Sequence, residues 1–396
     1  MESNTSSSNL KMKRDMTPET IIFPFIFVGF FTIFVNKMGL VNTLNTMMNT
    51  AYSLLIDTVL YITAICVLMG AISALFSEFG LVSLINKLLK PLMKPIFGLP
   101  GAASLGIITT FLSDNPAILT LAEDNYFKRF FKAYQFPALT NLGTAFGMGL
   151  IVCTYMLSLS GVAGQSLGLA VAVGFIGAVI GSVISTRIML RFTAKIYGRE
   201  KEMIESNDHD HKIMSNMRPV RTGGIGSRLM GAILDGGATG VKMSVEMVPG
   251  VLIICTIIMM LTNGPSTSGA YTGSAYEGVK LLPYLANKIS FILEPLFGFS
   301  SPEAIGVPVT ALGAAGAAIS LVTNLVSAGL ANSGDIAVFT AMCMCWSGYL
   351  STHVSMMNSL KCNSLIGKAI LSHTIGGLFA GISAHWIYVG LSLLIH

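Results

Sequence analysis

Apolar positions along this chain fall into long runs rather than alternations. A helix needs about 20 apolar residues to cross roughly 30 Å of hydrocarbon. Runs of that kind start near Thr20, Leu54, Pro137, Gln165, Met243 and Ile366, and a shorter one goes from Asp335 to Thr352. Two further segments, 102–122 and 302–325, are equally apolar but interrupted at their middles, by Ser113-Asp114-Asn115-Pro116 and by Gly313-Ala314-Ala315-Gly316. Proline disfavours helix in the residue before it and glycine lowers helix stability, so each segment reads as helix, break, helix, the pattern of a re-entrant hairpin. An amphipathic stretch precedes each one, GLVSLINKLLKPLMKPIFG and KLLPYLANKISFILEPLFG, suited to lying at the membrane interface.

Setting residue n against residue n + 200 exposes an internal repeat. Pro95, Phe97 and Gly98 fall on Pro295, Phe297 and Gly298, while Gly106, Thr110, Leu112, Ala117 and Leu121 fall on Gly306, Thr310, Leu312, Ala317 and Leu321. Farther on, Thr140 and Leu150 meet Thr340 and Leu350, and the G-x-x-x-G pair Gly177 and Gly181 lands on Gly377 and Gly381. Scattered glycine matches arise from composition, but one register held over about a hundred residues does not. Upstream, the helix with Asp57 and Cys66 matches the one with Glu246 and Cys255 at an offset of 189, which places an 11-residue insertion in the second copy's loop over 263–282.

Composition agrees: 53% hydrophobic and 11% charged residues exclude a soluble protein, where about a quarter of residues are charged. Many glycines lie inside apolar runs such as GLAVAVGFIGAVIGSVIS, where small residues let helices approach closely. The first run has no A-x-A-like cleavage site after it and reads as a retained helix. Cys66, Cys153, Cys255, Cys343, Cys345 and Cys362 lack C-x-x-C spacing, which indicates neither a disulfide framework nor a zinc site. Charge then orients the chain. With the amino terminus inside and both interrupted segments returning to their own side, all but three of the 24 basic residues fall inside, leaving Lys37, Lys280 and Lys288 outside. Each copy thus crosses three times, an odd number, so the copies are inverted, as in secondary transporters. The expected fold is an all-α polytopic membrane protein of two inverted-topology repeats. Each has an amphipathic interfacial helix, a re-entrant hairpin and three spanning helices, and one extra helix precedes them. The expected division is 1–53 for the tail and first helix, 54–190 for the first repeat, 191–242 for a basic cytoplasmic loop suited to anionic lipid, and 243–396 for the second repeat.

At KPLMKPIFGLPGAASLGIITTFLSDNPAI, and again at ILEPLFGFSSPEAIGVPVTALGAAGAA, the sequence resembles the nucleoside-recognition or Gate domain. That domain occurs in spore maturation proteins A and B, in ferrous-iron transporters and in bacterial inner-membrane proteins. The likeness covers about 54–190 and 243–392, two Gate units in one chain, similar to fused spore maturation proteins A and B. The family is also similar in layout to concentrative nucleoside transporters, whose paired hairpins hold substrate and coupling ion. The resemblance implies a bacterial cytoplasmic (inner) membrane protein with a cytoplasmic amino terminus. The chain departs from the ferrous-iron transporters in lacking an attached GTPase domain, and its second tip has no polar side chain.

Candidate chemistry gathers at the breaks. At the first, Ser113, Asp114 and Asn115 sit where unwound carbonyls and half-helix ends can coordinate a cation or a polar solute group. The competing reading is that this turn caps the second half-helix. At the second, Gly313 and Gly316 let backbone approach a ligand. Asp57 and Glu246, ionisable groups within membrane segments, join Asp114 as ion-coupling candidates, against a reading in which both reach the interface. Thr140, Asn141 and Thr144 share a helical face in the first repeat, and Ser347, Ser351 and His353 supply the corresponding polar material in the second. Hydrogen bonding between helices is the alternative for these. His353 can relay protons, against a buried, satisfied histidine. Met342-Cys343-Met344-Cys345 does not converge on one ion, since alternate helical residues face apart. Asp208-His209-Asp210-His211 reads as solvated loop.

Without a P-loop, a nucleophile elbow or H-E-x-x-H, no enzyme is indicated. The expected function is a secondary transporter or facilitator of a small polar solute, bound between the hairpin tips. Sodium ions or protons are the candidate coupling ions, with no other cofactor, no metal and no nucleic acid. Membrane lipid is a further partner, and the G-x-x-x-G faces suit packing between repeats or in a homo-oligomer. The alternative is a non-transporting structural or assembly protein of the spore-maturation type.

Overall fold

The computed structural model describes residues 15–123, 125–204, 220–266 and 269–395. Among the described residues the chain is helical and forms no strand. Among the described residues, six helices are long and apolar enough to cross a membrane: Pro18–Met38, Leu40–Glu78, Ala138–Ala163, Gly168–Tyr197, Ile225–Thr262 and Asn363–Leu394. Large apolar side chains such as Phe25, Leu68, Phe291 and Leu393 lie exposed, as expected where lipid is the solvent. The protein is an all-α, multi-pass membrane protein.

Two antiparallel helix pairs organise it. In the first, Leu40–Glu78 lies along Ile225–Thr262, and the contact is backbone to backbone: a Cβ on Gly240 would lie 2.2 Å from the Cys66 carbonyl oxygen, and one on Gly236 2.4 Å from that of Gly70. Only a missing side chain permits such an approach. This packing also explains why the second helix begins at Ile225, well before the apolar run near Met243, since its first half finds partners on the 60–78 segment. Each helix of the pair passes through a π-helical turn, Leu54–Val59 and Gly250–Cys255, and the two turns adjoin. Buried Glu78 closes one end by accepting from Arg221 Nη1 at 2.8 Å and Arg228 Nε at 2.7 Å.

In the second pair, Gly168–Tyr197 lies along Ile366–Ile395. Gly181 faces the Gly376 carbonyl and Ala380, and Gly177 faces Ala380 and Ala384. The first G-x-x-x-G face therefore joins the two repeats within one chain. Gly377 and Gly381 instead give room to Trp346, Met342 and Phe297.

The hairpins enter from opposite faces. The first has arms Ala103–Leu112 and Ala117–Glu123, and the chain beyond it returns to the face that carries Glu78 and the end of Gly168–Tyr197, where Ala133 N donates to Lys201 O at 2.8 Å. The second has arms Gly306–Ala311 and Ala315–Ser327, and both its ends meet on the other face, where Ser300 N donates to Asp335 Oδ1 at 3.0 Å. The inserted loop also folds on that second face: Asn49 donates to Gly273 O and Tyr276 N to Thr50 Oγ1, each at 2.8 Å.

Candidate functional site

Two spans that read as continuous apolar runs are in fact broken. Ala138–Thr144 ends, Met148 turns into the left-handed region at φ 56°, and Gly149–Ser158 resumes. Ser333–Trp346 likewise ends, Ser347 and Gly348 have φ of 21° and 69°, and Tyr349–Ser359 resumes. Met148 and Gly348 are repeat equivalents in the n + 200 register. Hydropathy missed both breaks because each is short and lies inside a mainly apolar run. The available signal was glycine close to both breaks, in Gly147-Met148-Gly149 and in Ser347-Gly348, though not at equivalent positions.

Each broken span docks on the broken hairpin of its own repeat. Met148 N donates to Ser113 O at 3.2 Å in the first, and Gly348 N donates to Ala311 O at 2.8 Å in the second. Carbonyls left open by a helix end are thereby satisfied by amides that another break frees. The repeats then meet across these breaks, because Asn115 donates from Nδ2 to Ser347 O and Ser347 Oγ donates to Gly147 O at 3.1 Å. Four interruptions, at 113–116, 145–148, 312–314 and 347–348, thus converge. Glycine is required at 147, where a Cβ would sit 1.3 Å from Asn115 Oδ1. Asn115 is buried, and its Oδ1 has no hydrogen-bond partner among the described residues.

Asp114 accepts from Asn115 N at 2.7 Å, a local turn contact that leaves its second oxygen available. It lies within electrostatic range of Glu246 and Cys66. Ser113 has left the helical region, with φ −137° and ψ −120°. Gly313 lies in the second break, and a Cβ on Gly348 would come within 2.9 Å of its carbonyl oxygen. Gly316, expected at the tip, lies instead in the first turn of Ala315–Ser327, since Ala314 already occupies the position before that helix. Asp57 and Glu246 are both exposed on the first helix pair. Asp57 lies inside the first π turn, and Glu246 precedes the second.

Thr140, Asn141, Thr144 and His353 are all fully buried. Asn141 Nδ2 donates to Ser185 Oγ at 2.9 Å and to Ala369 O at 3.1 Å, and Ser185 Oγ contacts His373 Nδ1 at 2.9 Å. His353 stacks obliquely on His373 with ring centroids 4.6 Å apart. Thr140, Asn141, Ser185, His373 and His353 form a second polar cluster, beside the convergence of breaks. The expectation of a satisfied His353 fails: both ring nitrogens lack a partner among the described residues. Ser185 and His373 escaped notice because each lies, with polar neighbours Thr186 or Ser372 and Thr374, inside a helix that reads by its length and hydropathy as a plain membrane span. The side chain of Ser351 and the segment Asp208–His211 lie outside the described residues. Among the described residues no group of three or more His, Cys, Asp or Glu is placed to hold a metal ion.

No protein-family model matches the chain, and no curated protein matches it. Solved structures do. CNTnw, a concentrative nucleoside transporter, in an inward-facing substrate-bound state superposes with a TM-score of 0.54 at 14% identity, covering 94% of this chain and 85% of that one. A doubly substituted CNTnw in an outward-facing state superposes with a TM-score of 0.53 at 13% identity and the same coverage. At these identities the likeness is one of fold.

Proposed function

We propose that this protein is a secondary transporter or facilitator of a small polar solute, bound where the two hairpin breaks meet the two broken spans. The observation that carries the reading is the convergence of four chain interruptions from two inverted repeats. Unwound backbone at membrane depth is tolerated where it is buried in protein or lines a polar path, and transporters of this architecture bind solute and ion at such places. Asn115 Oδ1, the free oxygen of Asp114 and the carbonyls around Gly313 supply acceptors for a cation or for donor groups of a solute. The helix Ala315–Ser327 directs its positive dipole end at the same region, favouring an electron-rich group. The likeness to a fold known in inward-facing and outward-facing states supports alternating access. Sodium ions and protons remain the candidate coupling ions.

The test is a thermal-shift screen of purified protein against nucleosides, amino acids, organic anions and metal ions, since a ligand that favours the native state raises apparent stability. Any stabilising solute is then offered to proteoliposomes for counterflow. A solute that both stabilises the protein and exchanges across the bilayer supports the reading. If nothing in the panel does either, the non-transporting assembly role takes its place.

A further inference from the structure

His373 is fully committed by its surroundings. Its Nε2 meets the Cys345 carbonyl, which only accepts, so Nε2 carries the proton and donates. Its Nδ1 is then the acceptor for the Ser185 hydroxyl, and Ser185 Oγ in turn accepts from Asn141 Nδ2. The chain from Asn141 through Ser185 and His373 to Cys345 is closed, with the imidazole neutral. His353 is the opposite case. It is as deeply buried, it touches the His373 ring face and the edge of Tyr349 at 5.7 Å between centroids, and neither Nδ1 nor Nε2 has a hydrogen-bond partner among the described residues. The backbone of Tyr349, one helical turn earlier, is the polar group that comes nearest the ring. Ring nitrogens left without partners in an apolar core destabilise the fold, and leucine would fill the same space without that cost.

The titratable groups around it are few. Helix Ile366–Ile395 presents His373, the half-helix Tyr349–Ser359 presents Tyr349, and Ser333–Trp346 presents the Cys345 thiol, which lies within electrostatic range of Tyr349. Ala138–Thr144 and Gly168–Tyr197 present the neutral Asn141 and Ser185. Among the described residues no carboxylate comes within electrostatic range of either ring.

From this we infer that His353 is a proton-binding site of the transport cycle, distinct from Asp114, taking a proton from water when the second repeat's broken span moves to wet it and releasing it when the span closes. His353 lies five residues past the break at Gly348, on the half-helix that any opening of that break displaces. In the closed arrangement a charged ring is buried with no counter-charge among the described residues, so protonation and closure oppose each other. That opposition is what coupling requires, because a proton shifts the conformational equilibrium only if it binds the two states unequally. His373, held neutral by its two partners, acts as the positioning residue beneath the ring. The inference rests on the transport reading for its role, but not for its first test.

Trp346 stacks near Tyr349 at 6.2 Å and is one of two tryptophans, so a Trp386→Phe background reports on this cluster alone. Protonated imidazole quenches indole emission more strongly than neutral imidazole. In that background, full-length protein should lose Trp346 emission reversibly as the pH is lowered from about 8, and His353→Gln should abolish the transition. A flat wild-type titration, or one unchanged in His353→Gln, overturns the inference whether or not any solute is transported. Where His353→Gln fails to fold, as judged by melting and elution, His353→Asn replaces it. For a solute that passes the counterflow test, proteoliposomes loaded with a pH dye should acidify during uptake by the unsubstituted protein and not during uptake by His353→Gln. Uptake without acidification in the unsubstituted protein overturns the coupling role while leaving transport itself intact.

Discussion

The two hairpins share a backbone plan and differ in what they offer. Both interrupt a helix at the same place in the repeat, both dock on a broken span of their own repeat, and both span breaks use a left-handed residue, Met148 or Gly348. The first, however, carries Ser113, Asp114 and Asn115, whereas the second presents Gly313 and Ala314 and little but backbone. Asn115 also crosses the pseudo-symmetry, reaching the Ser347 carbonyl in the other repeat. Inverted repeats thus keep two-fold geometry, which gives two comparable arrangements to alternate between, while selectivity concentrates in one half.

The largest effect expected from breaking this asymmetry comes from Asp114→Asn, which keeps size and turn-forming ability but removes the charge. Ion-driven uptake in proteoliposomes should fall at least tenfold or change its sodium or pH dependence, with melting temperature nearly unchanged. Normal uptake with the same ion dependence would reduce Asp114 to a helix cap. Gly147→Ala comes next, because its Cβ takes the space of Asn115 Oδ1 and expels that side chain from between the repeats. Uptake should fall severalfold, and overpacking should cost about 1–3 kcal/mol of stability. An unaffected Gly147→Ala would show that Asn115 is a bystander. In the second hairpin, Gly313→Ala meets Ile254 Cδ1 at 3.1 Å and leaves every polar side chain in place. It should lower uptake modestly and leave ion dependence alone, since only backbone access is altered.

Stability separates the repeats in a smaller way. Gly181→Leu drives a side chain into the Gly376 carbonyl and Ala380, across the repeat interface, while Gly381→Leu meets Met342 and Phe297, whose side chains can yield. Both should melt at lower temperature, Gly181→Leu by more, on a thermal scan in one detergent. Equal melting of the two would mean that the interface relaxes as easily as a side-chain contact. Smallest of all in its effect on the protein is Ser274→Cys in the exposed inserted loop. Labelling from outside intact cells, without loss of uptake, is expected from the inverted layout, and protection from the reagent contradicts it.

The sequence by itself determined the spans, the two hairpins and the repeat, because hydropathy over a span-length window and a fixed register are local or periodic properties of the chain. The first hairpin's polar break was legible for the same reason, since proline and three polar residues inside an apolar run have a direct backbone consequence. Tertiary structure alone decided the rest. Breaks at 145–148 and 347–348 leave hydropathy untouched and exist because hairpin carbonyls wait opposite them. It placed Gly316 inside an arm rather than at a tip, and set Asp57 and Glu246 on the exposed side of a helix pair. It also joined Asn115 to Ser347 and Asn141, through Ser185, to His373, across separations of 44 to 232 residues. A histidine inside a membrane segment reads the same whether it is satisfied, as His373 is, or left without side-chain partners, as His353 is. Which of the two it becomes depends on atoms supplied by other helices, and no pattern along one segment records them.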